Sequence, residues 1–435
     1  MRAILRFALP LIAGYLLQQA YSVIDAAIVG KLLGVSSLAA IGASSSIIFL
    51  IMGFCNGTSS GFAIPVAQAF GAGDETHMRS FVANAVRLSI LLAVIMTALT
   101  SALTAPILRM VNTPDDIMRE ATIYLLVNFL AIPFTVAYNL LSGMIRALGN
   151  SRTPFLFLIV SSVVNIVLDL VMIIVFKMGV GGAAFATLLS QAVSAALCYR
   201  YIRRNMQMLV PKGRGERRFS RKDSGILLWN GVPMGLQFSI TAIGSIMLQG
   251  ANNALGTSYV AAFTSGTRIK YLFTTVFENI GVAMATYCGQ NIGAGKMVRV
   301  RQGIVAAMKI TMVYFAITML VIMPFADEMM LLFMDRGETE IIANAAKYLR
   351  VIACFFPALG TLTVLRYSIQ GLGYANLSLF SGVAEMLARC AISLWMVPAL
   401  GFAGVILGDP TAWISADLFL VPCIIVLYRR LSDKV

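Results

Sequence analysis

Asp25, in AYSVIDAAIVG, and Asp169, in SSVVNIVLDLVMII, stand inside stretches that are otherwise strongly apolar. On helices at membrane depth, each acid costs at least about 2.5–3.5 kcal/mol to insert, so each calls for a function. Polar neighbours recur at helical spacing. Gln18, Ser22 and Asp25 share one helix face, as do Ser162, Asn165 and Asp169, and as do Thr187, Gln191 and Ser194. These three polar stripes belong to three helices of the N-terminal half, and they are expected to face one another around a hydrated pocket. Carboxylate, amide and hydroxyl oxygens together form the oxygen-only donor set that a hard cation requires. A carboxylate pair can also exchange a proton. The plainer alternative is that each acid only hydrogen-bonds a neighbouring helix.

The C-terminal half does not repeat this pair. Met247 and Leu248 align with Asp25, and Ala391 and Ile392 align with Asp169. Its own intramembrane charges are Arg268, Lys270, Glu278, Arg366, Glu385 and Arg389. Glu385 and Arg389 lie four apart with the acid first, the order of an intrahelical ion pair. Glu278, in the middle of TTVFENIGVAMAT, is a candidate for substrate charge recognition or coupling, with Arg268 a possible lining residue of the cavity. Arg268 and Lys270 fall near a span end, where snorkelling to the interface is expected. Pro10, Pro65, Pro133, Pro233 and Pro357 sit within spans and invite bends, Pro10 on the same helix as Asp25. The 24 methionines and 25 phenylalanines could build an adaptable apolar wall, though most are expected in core or lipid contact.

The elements that must position these residues follow from composition. The chain has 435 residues, 59% hydrophobic and 12% charged, with mean hydropathy +0.85. That is about half the charge of a soluble chain, so most of its surface faces a bilayer. Apolar runs separate at 5–30, 37–70, 80–105, 119–146, 154–177, 181–204, 223–249, 258–290, 300–326, 343–370, 376–398 and 402–431. They are too long and too uniformly apolar for a β-barrel, which needs alternating segments of about ten residues. The fold class is therefore an all-α membrane protein of twelve transmembrane helices. Residues 1–204 form an N-terminal lobe, 205–222 a basic, Pro- and Gly-interrupted and mobile linker, and 223–435 a C-terminal lobe.

The net charge of +14 collects at span ends. Arg2, Arg6, Arg79, Arg146, Arg152, the 200–222 cluster, Lys296, Arg299, Arg301, Arg429, Arg430 and Lys434 fall on one face. Lys31, Arg109, Lys177 and Arg336 fall on the other, with the acidic stretches 114–116 and 327–340. This bias makes both termini cytoplasmic and leaves no case for nucleic-acid binding. Six scattered cysteines and a single histidine, His77, give no metal or disulfide framework. The first span carries an acid and no short apolar core with a cleavage site, so no cleavable signal peptide is expected. No phosphate-binding GxxxxGK[ST] loop occurs, and no cofactor is expected.

The halves echo each other. QAFGAG at 68–73 pairs with QNIGAG at 290–295, RALGN at 146–150 with QGLGY at 370–374, and GVGGAAFA at 179–186 with GFAGVILG at 401–408; Pro10 pairs with Pro233. The offsets are 222 to 224 residues. Six spans per repeat give both repeats the same topology, related by a pseudo-two-fold axis along the membrane normal.

IDAAIVGKLLGVSSLAAIG at 24–42, PVAQAFGAGD at 65–74, GQNIGAGK at 289–296, MIRALGNSRTP at 144–154 and RYSIQGLGY at 366–374 together resemble the motifs of the multidrug and toxic compound extrusion (MATE) family of the flippase-like (MOP) superfamily. The resemblance covers nearly the whole chain. It implies twelve helices in two V-shaped lobes and antiport of small organic, often cationic or amphipathic, compounds against protons or sodium by alternating access. It also implies an N-lobe cation site of an acid on span one, an Asn and an Asp on span five and a Thr on span six, filled here by Asp25, Asn165, Asp169 and Thr187, with Pro10 as the helix-bending proline. The implied setting is a multi-pass protein of a bacterial or archaeal inner membrane, usually monomeric. The rival within the superfamily is a flippase of lipid-linked oligosaccharide or other lipid, which would carry extra spans and a basic central cleft. A membrane-embedded enzyme would need a nucleophile–base or metal cluster for which one histidine leaves little material.

Overall fold

The computed structural model describes residues 1–110 and 113–432, so Lys434 lies outside the described residues. Helices dominate, and no strand occurs among the described residues. This follows from the solvent: in hydrocarbon every backbone N–H and C=O must be satisfied within the segment, which a helix does. Leu320, Trp395 and Leu418 are 75%, 73% and 73% exposed, a surface suited to lipid and not to water.

Among the described residues nine helices are long and apolar enough to span a bilayer: Arg2–Leu33, Ala39–Ala72, Glu75–Ala102, Arg152–Val175, Gly179–Asn205, Arg221–Asn253, Met297–Met330, Ala375–Leu400 and Phe402–Ser432. Two further spans are bent pairs, Asp115–Leu130 with Ile132–Ala147 at 41°, and Thr339–Cys354 with Phe356–Gly371 at 52°. Thr257–Gly293 occupies the eighth place in the order. The helix carries Arg268, Lys270 and Glu278 within its length. Spans four and ten thus break where single helices were expected. Pro133 and Pro357 each sit in the first turn of the second segment, where the missing N–H is harmless and the preceding helix must end.

The repeat is written in the backbone. Glycines with positive φ occur at Gly34 and Gly256, Gly73 and Gly295, Gly149 and Gly373, and Gly179 and Gly401, each pair 222 or 224 residues apart. Three of these pairs lie in the recurring sequence motifs. The motifs recur because a side chain is strained in the left-handed region that ends one span and starts the next. A single π-helical turn also ends span five at Val171–Val175 and recurs at Ile392–Met396 in span eleven.

The chain divides into two compact units, Leu9–Gly235, and Met1–Ala8 with Leu236–Val435. The division falls inside the first and seventh helices, near Pro10 and Pro233. In the first unit, Phe62, Val66, Phe81, Met144 and Cys198 form one core cluster, and Ile47, Leu108, Leu125, Phe129 and Val136 another. In the second, Phe277, Tyr348, Phe356 and Trp413 anchor one cluster, Phe277 and Phe356 meeting edge to face at 5.5 Å.

Residues 205–222, expected to be mobile, are fastened to span three. Arg79 Nε donates to the Met208 carbonyl at 3.1 Å and Nη1 to Glu216 Oε1 at 3.0 Å. Asn84 Oδ1 accepts from the Ser220 N–H at 3.1 Å. Arg79 is only 8% exposed, and a nearly buried guanidinium needs these acceptors.

Candidate functional site

Span five is the axis of the N-half cluster. Asn165 and Asp169 are one turn apart, 1% and 0% exposed. With the amide oriented as its neighbours require, Asn165 Nδ2 donates to Asp169 Oδ2 at 3.1 Å, and Asn165 Oδ1 accepts from the Thr187 backbone N at 3.2 Å. The same end of the amide lies 3.4 Å from the Thr187 hydroxyl. Ser161 Oγ donates to the Ser190 carbonyl at 2.9 Å and pins span five to span six. Val29, Ile173 and Ala183 pack together one turn beyond Asp25 and join spans one, five and six. The π-helical turn sits immediately after Asp169, a device that re-aims side chains at functional sites.

The Asp25 and Asp169 carboxyls lie within hydrogen-bonding reach of each other. Asp25 Oδ1 and Asp169 Oδ1 are both buried without a protein donor. Among the described residues no basic side chain pairs with either acid. Two adjacent carboxyls thus keep buried oxygens unsatisfied with no basic side chain beside them, a costly arrangement for a folded protein to hold.

Not every stripe residue joins them. Gln18 and Ser22 are exposed, and the Ser22 hydroxyl is spent on the Gln18 carbonyl at 3.0 Å. Ser162 turns back to the Leu158 carbonyl at 2.9 Å. Thr187 stands at the cluster, while Gln191 Oε1 and Ser194 Oγ are buried without partners further along span six. Tyr21, one turn before Asp25, was not singled out from sequence; its hydroxyl lies near Thr187 and within electrostatic range of Asp25 and Asp169. Tyr124 of span four also lies within electrostatic range of Asp25 and Asp169. The i, i+4 relation of Tyr21 to Asp25 was the available signal.

The C-half charges behave differently. Lys270 Nζ donates to Asp409 Oδ2 at 2.6 Å, and Arg389 Nε donates to Asp409 Oδ1 at 3.1 Å. Arg389 Nη1 donates to Glu385 Oε2 at 3.4 Å, and Glu385 Oε1 also accepts from Arg366. All five residues are at most 7% exposed. Lys270 therefore does not snorkel, because Asp409 offers it a charged partner in the core. The Glu385–Arg389 pair is one link of this longer chain. Arg268 is exposed, 5.9 Å over the Phe333 ring. Glu278 Oε2 accepts from the Tyr367 hydroxyl at 3.1 Å and lies in the field of Arg366. Asp417 is in the same field, with Oδ1 buried and unpartnered. Asp409 and Asp417 were missed in span twelve, although an acid in an apolar run is itself a signal. In the C half Asp409 and Glu385 thus have their counter-charges built in; in the N half the pair does not.

The MatE family model matches twice, over residues 10–171 and 233–395, one match per repeat and together most of the chain. The chain is 29% identical over 397 residues to the probable multidrug resistance protein YpnP of Bacillus subtilis, covering 91% of this chain and 86% of that protein. It is 22% identical to an FAD transporter of Shewanella oneidensis, covering 92% and 88%. Among solved structures it resembles an outward-facing multidrug resistance MATE family transporter of the MOP superfamily, with TM-score 0.92 at 24% identity, over 99% of this chain and 96% of that one. The twelve-span fold, the doubled match and these relatives place the chain in the MatE family of multidrug and toxic compound extrusion membrane transporters.

Proposed function

We propose that this protein exports small organic compounds, cationic or amphipathic, in exchange for a proton or a sodium ion that loads at Asp25, Asn165, Asp169 and Thr187. The observation that carries the proposal is the uncompensated carboxyl pair: Asp25 and Asp169 lie close together with free oxygens and no basic partner among the described residues. A bound cation removes their mutual repulsion, so occupancy favours one arrangement of spans one, five and six over another. Discharge on the other side of the membrane resets it, and the ion gradient supplies the drive. Glu278 and Asp417 place further carboxyl groups in the C half, suited to a cationic substrate. The positive-inside count sets both termini and residues 205–222 on the cytoplasmic side of an inner membrane. The working unit is a monomer.

The test is uptake of a fluorescent organic cation into proteoliposomes under imposed proton and sodium gradients, each applied alone. One of the two gradients should drive uptake in the native protein, and Asp25→Asn and Asp169→Asn should each cut that uptake at least tenfold at a fixed moderate gradient. Gradient-driven uptake that survives both substitutions at normal protein levels sinks the assignment.

A further inference from the structure

A cleft of about 370 Å³ opens on the first unit among spans three, four and six, and residues 209–211 close one end. Its walls are aliphatic along Val86, Ile90, Val94, Ala137 and Leu141. Ile90 and Val94 are 61% and 60% exposed, so on these spans the cleft lies open to lipid.

The closed end is different. Arg203 lines it, 5.9 Å over the Tyr199 ring. Arg217 donates from Nε and Nη2 to the carbonyl of Pro211, itself a lining residue, at 3.3 and 3.1 Å. Arg87 donates in turn to the Arg217 carbonyl. The three guanidiniums are exposed, and none has a carboxylate partner among the described residues. An apolar slot thus ends at a cluster of uncompensated positive charge. Guanidinium groups present paired N–H donors that match phosphate oxygens. Basic pockets between spans are where anionic headgroups bind. An organic cation would be repelled at this end, and a neutral lipid would leave the charge unanswered.

We infer that the cleft holds an acyl chain of an anionic phospholipid from the leaflet beside residues 205–222, with the lipid phosphate bound by Arg87, Arg203 and Arg217. This binding is independent of the transport cycle proposed above.

The experiment uses the full chain in neutral detergent. Bound lipid is counted by native mass spectrometry, and the unfolding midpoint is followed with added phosphatidylglycerol, phosphatidylcholine or inorganic phosphate. Phosphatidylglycerol should bind and raise the midpoint, phosphatidylcholine much less, and inorganic phosphate not at all. The preference should fall roughly fivefold per guanidinium removed in Arg87→Gln, Arg203→Gln and Arg217→Gln. Ala137→Trp, which fills the slot and leaves the charges, should weaken phosphatidylglycerol binding while keeping the native midpoint without lipid. Equal binding of the two lipids, a full shift from inorganic phosphate alone, or unchanged phosphatidylglycerol binding in the triple and the Ala137→Trp variants would overturn the inference.

Discussion

Asp169→Asn separates charge from shape at the N-half cluster. The wild-type side chain is fully buried and accepts from Asn165 Nδ2 at 3.1 Å. An asparagine oxygen accepts the same bond, and its NH₂ faces the Asp25 carboxyl as a donor, so the packing survives. What disappears is one of the two carboxylates that can face a bound cation. At about 3 Å and an effective dielectric of about 20, a unit charge interacts with its neighbour by about 5–6 kcal/mol. Asp25 is only half-buried, so water screens part of this, and about 2–3 kcal/mol of cation binding should be lost. That is a roughly thirty- to hundred-and-fiftyfold weaker cation site. The assay is the initial rate of substrate transport in proteoliposomes against the concentration of the driving cation, with the unfolding midpoint measured in parallel. The half-saturating concentration should rise by that factor, and transport at a fixed moderate gradient should fall at least tenfold, while stability changes by less than about 1 kcal/mol. Unchanged cation dependence would refute the reasoning. So would a loss of stability large enough to explain the lost transport, since Asp169 would then be a structural acceptor.

Other expectations follow from the packing. Glu385→Ala strands Arg366 in a buried site and leaves Arg389 with Asp409 alone, and should destabilise the protein by about 3–5 kcal/mol, read as a fall in unfolding midpoint. Gly231→Ala would put a Cβ 2.5 Å from the Phe62 ring, where spans two and seven touch at Gly61 and Gly231; a loss of about 1–3 kcal/mol is expected in the same measurement. Glu216 is held below the usual carboxylate range by the Lys212 N–H at 2.7 Å, with Arg79 adding to this at 3.0 Å. A depressed folded-state value means its contribution is fully present above the ordinary glutamate range and is lost as pH falls below it. Limited proteolysis within 205–222 should therefore quicken in acid, and Glu216→Gln should be quick at neutral pH; equal rates for native and variant at neutral pH would show that Glu216 does not hold the segment.

Much of this protein is legible without coordinates, because the bilayer makes length and hydropathy decide the helices. The twelve spans, the repeat at 222 to 224 residues and the anomaly of Asp25 and Asp169 are all properties of the sequence. The glycine motifs that mark the repeat are local as well, since each answers to one backbone angle. The partners of charges are not local. Lys270 reads as a snorkelling lysine until Asp409, 139 residues away, meets it in the core. Residues 205–222 read as a free linker until Arg79 and Asn84 of span three hold them. Helical spacing places Gln18, Ser22 and Asp25 on one stripe, yet only Asp25 is drawn into the cluster, and Tyr21 arrives with it. A stripe gives direction only to within a helix face; the rotation and tilt of each helix against its neighbours, set by close packing of all its contacts, decide which polar atoms meet and which turn to their own backbone.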